Sequence, residues 1–434
     1  MRMVELIERK RDGGVLTAEE IRWMIEEYTK GEIPDYQMSA FLMAVYLRGM
    51  NADETKELTF AIRDSGKTLE FPSIRGLRAD KHSTGGVGDK TSLVVGPVVA
   101  ASGLKVAKLS GRGLGFTGGT IDKLESIEGF RTNIPVDEFE KIVNETGIAI
   151  AGQSKDIAPA DKLLYALRDV TGTVGSMPLI VSSIMGKKLA ANDDVIVLDV
   201  KCGSGAFMKT KEDAEKLAET MVGIGKDAGK KTMALITDMD QPLGSAVGNS
   251  LEVVEAIDTL RGKGPKEFRD FCVAVSAYML ELAGKGTLAE CEAAARDAIE
   301  SGKAFETFRA MVKAQGGNVR WIDDPKLFPT ADSELDVIAG ESGWISRFNT
   351  EQIGLASLTI GAGRSKKSDP IDMTAGIRFW KKRGDHIAKG EKLATLYSCG
   401  KQKDLVKAMF MILDATELAK EKPEETPLIL SVVR

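Results

Sequence analysis

The first 65 residues carry hydrophobic positions at helical spacing. Thr17 and Glu20 have the spacing of a capping box, in which a hydroxyl and a carboxylate bond the free backbone N–H groups of a helix start. Asn51 and Glu54 repeat this signal, and Gly31 marks a helix end between them. Two apolar stripes follow the helical period: Ile21, Met24, Ile25 and Tyr28, then Met38, Phe41, Leu42 and Val45. The pattern predicts a small helical bundle.

Beyond about residue 75, short runs of β-branched residues alternate with helical stretches. This alternation is typical of a largely parallel sheet with helices on its faces. The predicted strands are residues 105–110, 147–152, 194–200 and 231–237. Between the second and third strands the pattern is helical again, so we expect that segment to return to the bundle.

After about residue 335 the chain turns to short strands and turns, similar to the barrel-like hairpin modules of biotinyl and lipoyl carriers. No lysine lies in the modification motif of those carriers, so we expect a structural role. The predicted fold is α/β with a separate helical lobe. It comprises a discontinuous small helical domain (1–70 and 156–192), a large α/β domain with a mostly parallel sheet (71–155 and 193–334) and a C-terminal α+β module (335–434).

The composition limits the classes of function. A chain of 434 residues with 43% hydrophobic residues has enough apolar material for several packed units. The net charge of −5 argues against a broad nucleic-acid or membrane surface. Four scattered cysteines form neither a disulfide framework nor a zinc site, and the N-terminus lacks the apolar core of a signal peptide. We expect a reduced, cytoplasmic protein.

Residues 80–92, "DKHSTGGVGDKTS", have the features of a phosphate-binding loop. Three glycines let backbone N–H groups converge on one point, and Thr91 or Ser92 can cap the apolar helix that follows. Lys81 adds a cation, and Ser83 and Ser92 add hydroxyl donors. The spacing of a Walker A loop is absent. A glycine-rich turn with a solvated lysine is the alternative interpretation.

Residues 108–123, "KLSGRGLGFTGGTIDK", contain a G-x-G-x-x-G after a predicted strand. A dinucleotide fingerprint should be followed by an acidic residue at the end of the next strand, whereas Asp137 and Glu138 lie in a predicted helix start. The hydroxyls of Ser110, Thr117 and Thr120 instead favour a second wall around the same phosphate. A loop that only reverses the chain is the alternative.

Two helical pairs follow. Tyr165 and Arg168 are three residues apart, and Ser183 and Lys187 are four apart, so each pair shares a helix face. Such groups suit a planar ligand with carbonyl and imide edges, although spacing alone favours surface ion pairs. His82, between the lysine and the serine of the loop, is interpreted as an imidazole that titrates near neutrality and exchanges a proton.

The motifs "KHSTGGVGDKTSL" and "SGRGLGFTGGTIDKLESIEGF" resemble the signature of the thymidine and pyrimidine-nucleoside phosphorylase family. The resemblance continues through "PADKLLYALRDVTGTV", "SSIMGKKLA" and "LDVKCGSGAFMKT" and covers essentially the whole chain. It is strongest toward the broad-specificity members of Gram-positive type, in "QPLGSAVGNSLEVVEAIDTL".

The resemblance implies a homodimer that binds phosphate on the α/β side and the pyrimidine on the helical side. It places His82 near the pyrimidine O2 and Leu114 against the ring. The implied phosphate ligands are Lys81, Ser83, Ser92, Lys108, Ser110 and Thr120. The implied base ligands are Tyr165, Arg168, Ser183 and Lys187. Catalytic roles fall to His82, Arg168 and Lys187.

The chain departs from the family in two ways. Phe116 stands where the family has histidine, so a polar contact is lost there. Family members of Gram-positive type bind potassium with residues that match Gly88, Leu243, Ala246 and Glu255, and with a threonine where this chain has Lys90. A potassium site is therefore one expectation. The other is that the Lys90 ammonium replaces the ion and pairs with Glu255.

The implied reaction is reversible phosphorolysis of uridine, thymidine or deoxyuridine to the base and a pentose 1-phosphate, with phosphate as nucleophile and no organic cofactor. The alternatives are a thymidine-selective phosphorylase, a catalytically silent nucleoside or phosphate binder in which Phe116 is the damaged position, and a nicotinamide oxidoreductase. No nucleic-acid or membrane partner is expected.

Overall fold

A computed structural model describes the chain from Met1 to Arg434, except residues 114, 154, 155, 365, 367, 368 and 401 and the side chain of residue 402. Its α-helices are α1 (Met3–Arg11), α2 (Ala18–Lys30), α3 (Asp35–Arg48), α4 (Ala52–Asp64), α5 (Thr91–Ala101), α6 (Thr120–Leu124), α7 (Val136–Thr146), α8 (Pro159–Thr171), α9 (Met177–Ala191), α10 (Lys211–Asp227), α11 (Asn249–Leu260), α12 (Lys266–Leu282), α13 (Leu288–Glu300), α14 (Lys303–Ala314), α15 (Val319–Asp323), α16 (Thr350–Thr359) and α17 (Gln402–Asp414). Its strands are β1 (Ala79–Ser83), β2 (Val106–Ser110), β3 (Ile148–Gly152), β4 (Val195–Cys202), β5 (Lys231–Asp238), β6 (Ala246–Val247), β7 (Ser333–Ile338), β8 (Gly343–Phe348), β9 (Gly376–Phe379), β10 (His386–Ile387), β11 (Lys392–Ser398), β12 (Thr416–Ala419) and β13 (Ile429–Val433).

The helical lobe is discontinuous, as predicted. Helices α1 to α4 form the bundle, α8 packs against α2 and α3, and α9 packs against α4. Both expected capping boxes are present at the starts of α2 and α4. Gly186 of α9 allows the close approach to α4, because a Cβ there would lie 2.6 Å from Cγ2 of Ile62. The lobe thereby fixes α8 and α9, which carry the predicted base ligands.

The central sheet is mostly parallel. Strands β1, β4 and β5 are parallel neighbours, and β2 pairs in parallel with β3. A parallel bridge between Arg78 and Lys105 joins the two groups next to β1. The four predicted strands are confirmed, but residues 79–83 were missed: the presumed loop begins as a strand, and only residues 84–90 connect β1 to α5.

Helix α5 is buried on all sides, which explains its uninterrupted apolar sequence. Leu93, Val94, Val95, Val98 and Val99 are all inaccessible to solvent. Because a fully apolar helix is stable only inside a core, its packing fixes where the N-terminus of α5 emerges. That N-terminus lies at the end of the glycine-rich loop.

The C-terminal module contains two antiparallel sheets that do not close into a barrel. One sheet has the order β6-β9-β11-β7 and the other β10-β8-β12. Strand β6 comes from the α/β segment, whereas β13 leaves the module and pairs antiparallel with β5. Residues 429–433 therefore lie outside the module in which the sequence analysis put them.

Among the described residues, no helix combines the length and apolar character needed to cross a membrane.

Candidate functional site

A cavity of about 310 Å³ lies between the helical lobe and the α/β lobe. One side is formed by the end of β1, the loop that follows it and the loop after β2. The opposite side is formed by α8 and α9, and Phe207 and Met208 from the loop after β4 also line the cavity. Most of the predicted site residues line it: His82, Ser83, Ser92, Lys108, Ser110, Thr120, Tyr165, Arg168, Ser183 and Lys187.

The cradle, which we define as residues 83–92, presents backbone and hydroxyl groups to this cavity. Gly85 and Gly88 have φ values of 102° and 71°, so both positions favour glycine. The Ser83 hydroxyl accepts a hydrogen bond from the Gly85 N–H at 3.2 Å. The expected capping of α5 by Thr91 or Ser92 is wrong: Asp89 Oδ1 accepts from the Thr91 N–H at 3.1 Å. The arrangement leaves the Ser92 hydroxyl at the cavity wall.

The structure does not place Lys81 among the residues that line the cavity. Its ammonium lies 2.6 Å from Asp199 Oδ2 and 3.7 Å from Asp89 Oδ2, and Lys201 lies 2.8 Å from the same Asp199 oxygen. Burial alone would lower the pKa of Lys81, but the two carboxylates raise it above its ordinary value. The role of Lys81 as a phosphate ligand stays a prediction, and it requires the ammonium to turn from Asp199.

Asp80 joins two ammonium groups below the cavity. Its Oδ1 accepts from Lys108 Nζ at 2.9 Å and its Oδ2 from Lys188 Nζ at 2.6 Å. All three side chains are buried, and the two lysines hold the pKa of Asp80 below its usual value against the effect of burial. Desolvation also lowers the pKa of Lys108. Because Lys188 lies on α9, this cluster ties the helical lobe to β1 and β2.

His82 faces the cavity between the two lobes. Its pKa lies well below the usual range, because the imidazole is desolvated and faces the ammonium groups of Lys188 and Lys108. The expectation that His82 titrates near neutrality is therefore wrong. A neutral imidazole carries one N–H, so His82 can donate a hydrogen bond without transferring a proton.

The two helical pairs converge on the other side of the cavity. Arg168 is only 3% exposed, which excludes the surface-pair alternative. Its guanidinium donates to Val174 O at 2.7 Å and Leu179 O at 2.9 Å. Lys187 Nζ contacts Ser183 Oγ at 3.0 Å and Asp161 Oδ2 at 2.5 Å.

Ser110, at the end of β2, and Thr120, at the start of α6, line the cavity together with Arg112 from the loop between them. Asp122 holds this loop, because its carboxylate accepts from the Gly113 N–H at 2.7 Å and from Arg112 at 2.9 Å. The predicted ring contact, Leu114, lies outside the described residues. Phe116 packs against Gly354 of α16, and its ring centroid is 6.3 Å from that of Phe207.

Lys90, near the end of the cradle, has a fully buried side chain. Its ammonium donates to Leu243 O at 2.7 Å and Ala246 O at 2.9 Å, and it lies 2.5 Å from Glu255 Oε2. Gly88 packs against the same segment, because a Cβ there would be 2.7 Å from Leu243 O. The Lys90 ammonium therefore contacts Leu243, Ala246 and Glu255, which the resemblance implies as ligands of a potassium ion.

The sequence analysis missed several residues of the site. Asp161 precedes Tyr165 by four residues and Arg168 by seven, so the helical period of α8 could have revealed it. Lys188 is buried on α9, which is an unusual position for lysine. Nothing local in the sequence indicates that Asp199 pairs with Lys81.

Comparison with known proteins covers the lobes described above. The model of the glycosyl transferase family helical bundle domain matches residues 4–66, and that of the a/b domain of the same family matches residues 75–305. The model of the pyrimidine nucleoside phosphorylase C-terminal domain matches residues 344–417.

Whole-chain relatives carry one common name. The chain is 54% identical over 408 residues to a pyrimidine-nucleoside phosphorylase of Geobacillus stearothermophilus, covering 94% of each chain. It is 53% identical over 399 residues to one of Staphylococcus haemolyticus, covering 92% of each. In fold it is similar to anthranilate phosphoribosyltransferase of Thermus thermophilus, with a TM-score of 0.58 and 21% identity over 71% of this chain and 98% of that one.

The neutral state of His82 can be tested by NMR, because the chain has only two histidines. We expect the His82 ring resonances to stay constant from about pH 8 down to about pH 6, whereas in the urea-unfolded chain they titrate near 6.5. A His386→Gln variant assigns the signals. Since only the unfolded chain gains this proton, His82 lowers the stability as the pH falls below about 6.5. A titration midpoint of His82 at or above pH 6.5 in the folded chain would contradict its neutral state.

Proposed function

The chain belongs to the pyrimidine-nucleoside phosphorylases, a family of pentosyltransferases, and we propose that it cleaves uridine, thymidine and deoxyuridine reversibly with inorganic phosphate. The products are the free pyrimidine and a pentose 1-phosphate. The observation that carries the proposal is one cavity whose two walls have different chemistry. The α/β wall has hydroxyls, a helix N-terminus and buried ammonium groups, and the helical wall has donors suited to a pyrimidine edge.

The phosphate side positions the nucleophile. Ser83, Ser92, Ser110 and Thr120 offer hydroxyl donors at the cavity wall, and the N-terminus of α5 adds a partial positive charge. Lys108 supplies an ammonium group there. Phosphate held by these groups attacks C1′ of the sugar, so the protein itself needs no nucleophile. Holding both reactants in one cavity contributes through proximity and orientation.

The helical side stabilises the leaving base, which gains negative charge as the C1′–N1 bond breaks. Arg168 has five N–H donors, of which three bind the carbonyl oxygens of residues 173, 174 and 179. Two remain for the O4 oxygen of the base. Lys187 similarly keeps one of its three N–H donors after binding Asp161 and Ser183. Neutral His82 donates toward O2.

One observation bears on the silent-binder alternative. Phe116 packs against α16 and Phe207 and is not among the residues that line the cavity, so its replacement of histidine does not by itself argue for a silent binder. Uridine or thymidine selectivity depends on contacts to the sugar 2′ position and the base 5 position. Turnover of the three nucleosides separates the broad from the thymidine-selective enzyme.

We further propose that the ammonium of Lys90 replaces a potassium ion in this chain. The carbonyl oxygens of Leu243 and Ala246 and the carboxylate of Glu255 all bind Lys90 Nζ. With Lys90 in this position the donor set does not fit a second cation. Lys90 also stabilises the charge of Glu255, whose other hydrogen bonds come from the neutral backbone N–H groups of Ser245 and Ala246.

The predicted homodimer is supported by an exposed apolar surface on the helical lobe. On α3, Tyr36, Met43 and Leu47 lie along one face, and Tyr36 and Leu47 are 74% and 71% exposed. On the neighbouring α8, Leu163 and Val170 are exposed on one face, Val170 to 78%. Adjoining apolar stripes of this kind are typical of protein interfaces. We propose that a second copy of the chain covers this surface.

The cytoplasmic location stays a prediction.

The proposed reaction is tested by ultraviolet detection of base released from uridine, thymidine and deoxyuridine, with and without phosphate. We expect release only with phosphate. Arg168→Ala and Lys187→Ala each remove charge stabilisation of the leaving base and should lower kcat/KM by more than about tenfold.

The matched control is Lys162→Ala, which removes an exposed lysine from the same helix α8 and should leave the kinetics unchanged. Turnover of thymidine alone would favour the thymidine-selective alternative. Nucleoside binding without base release would support the silent binder, and unchanged kinetics of both variants would refute the base-site assignment.

The role of Lys90 is tested by comparing kcat/KM in potassium and in tetramethylammonium chloride. We expect equal activity for the wild type. Lys90→Thr removes the charged partner of Glu255 and the ammonium donor of two carbonyls, so its activity should fall and be restored by potassium but not by tetramethylammonium. Potassium activation of the wild type would contradict the proposal.

The dimer is tested by sedimentation of a Leu47→Glu, Val170→Glu double variant. Burying two carboxylates at an apolar interface is unfavourable, so we expect a monomer where the wild type is a dimer. Leu327→Glu, at an exposed leucine outside the helical lobe, is the control and should remain dimeric. A wild-type monomer, or a double variant that remains dimeric, would refute this interface.

A further inference from the structure

The C-terminal module packs against a segment of the chain that lies directly behind the cradle. This segment, residues 241–247, connects β5 to α11 and is called the support loop below. Lys382, just after β9, donates to Gly244 O at 2.8 Å and also to Pro242 O. Its neighbour Arg383 pairs with Asp238 at 2.6 Å. The module thus contacts the support loop through the side chain of Lys382 and the end of β5 through that of Arg383.

Backbone contacts strengthen the same attachment. Strand β6, at the end of the support loop, pairs antiparallel with β9. The Phe379 N–H donates to Ser245 O at 2.8 Å, and the Arg383 N–H donates to the Gln241 side-chain oxygen at 3.3 Å. The support loop therefore has little freedom to move independently of β9 and the residues that follow it.

The opposite side of the support loop faces the cradle. Lys90 donates to the carbonyls of Leu243 and Ala246, which lie next to the two carbonyls that Lys382 binds. The Leu243 N–H donates to Val87 O at 3.1 Å, within the cradle itself. Gly88 approaches Leu243 so closely that no Cβ fits between them. A displacement of the support loop would therefore displace the cradle backbone.

We propose that Lys382 is a positioning residue for phosphate, acting through the support loop and Lys90 on the cradle. The inference rests on the proposed function, because it takes the cradle as the phosphate site. Two ammonium groups from different parts of the chain bind alternate carbonyls of one short loop. Removing one leaves two carbonyls in a partly buried place without their charged donor, and the loop is then expected to relax away from β9.

The test is the affinity of the full chain for inorganic phosphate, measured by titration calorimetry, together with the KM values for phosphate and uridine. We expect Lys382→Met to raise both the phosphate Kd and the phosphate KM by about tenfold, because small displacements of positioning groups have effects of that size or more. The uridine KM at saturating phosphate should not change. Measurements are made near neutral pH, since burial lowers the pKa of Lys382 to about 8 and the group must stay charged.

The matched control is Lys381→Met. Lys381 is the adjacent residue, but its ammonium pairs with Glu391 at 2.6 Å and donates to His386 O, away from the support loop. This variant should bind phosphate like the wild type. A second variant, Lys382→Gln, keeps a neutral donor and should give an intermediate Kd, which preserves the test if Lys382→Met does not fold.

The outcomes separate this inference from the proposed function. An unchanged phosphate Kd in both Lys382 variants would overturn the positioning role, and so would an equal rise of the phosphate and uridine KM values. Wild-type protein that binds phosphate but releases no base would overturn the proposed reaction, while the Kd comparison would still decide the role of Lys382. Failure of the wild type to bind phosphate would overturn both.

Discussion

The site depends on the buried carboxylate of Asp80, which bonds one ammonium group with each oxygen. Lys108 comes from β2 and Lys188 from α9, so this carboxylate connects three elements of two lobes. Removing one partner from such a buried group typically costs about 3–5 kcal/mol, because an uncompensated charge remains. Burial and the same two ammonium groups lower the pKa of His82 and keep it neutral. The ion cluster therefore fixes both the relative position of the cavity walls and the protonation state of the residue between them.

The charges around the phosphate side favour an anion. Four buried ammonium groups lie at or near the phosphate side of the cavity: Lys81, Lys108, Lys188 and Lys201. Three carboxylates oppose them, those of Asp80, Asp89 and Asp199. A fourth, Asp193, has its pKa raised to about 8 by burial and by the nearby Asp80, so it adds no charge near neutrality. One positive charge remains in excess, and an incoming phosphate would compete with Asp199 for Lys81.

Local patterns predicted most of the fold and the part of the site that lies on helices. Helical spacing placed Tyr165 with Arg168 and Ser183 with Lys187 on shared faces, but their role as base ligands came from the family resemblance. The cradle followed from its glycines and hydroxyls. The missing parts have a physical reason. Asp80 and Lys81 have no tendency to form strands, and their burial in β1 depends on charged partners that include Lys188 and Asp199, each more than 100 residues away. Neither the pKa of His82 nor the contact of Lys382 with the support loop leaves a local signal.

The position of Phe116 shows why a lost family residue need not be a lost function. Histidine there would offer a polar contact, whereas the phenyl ring lies 6.3 Å from Phe207, within the range of a favourable aromatic pair. Phe207 itself forms part of the cavity wall, so the loop after β2 and the loop after β4 still meet at the cavity. An apolar contact of this kind depends on neither protonation nor salt. The substitution therefore changes how the two loops associate, and it leaves the hydroxyls of Ser110 and Thr120 at the cavity wall.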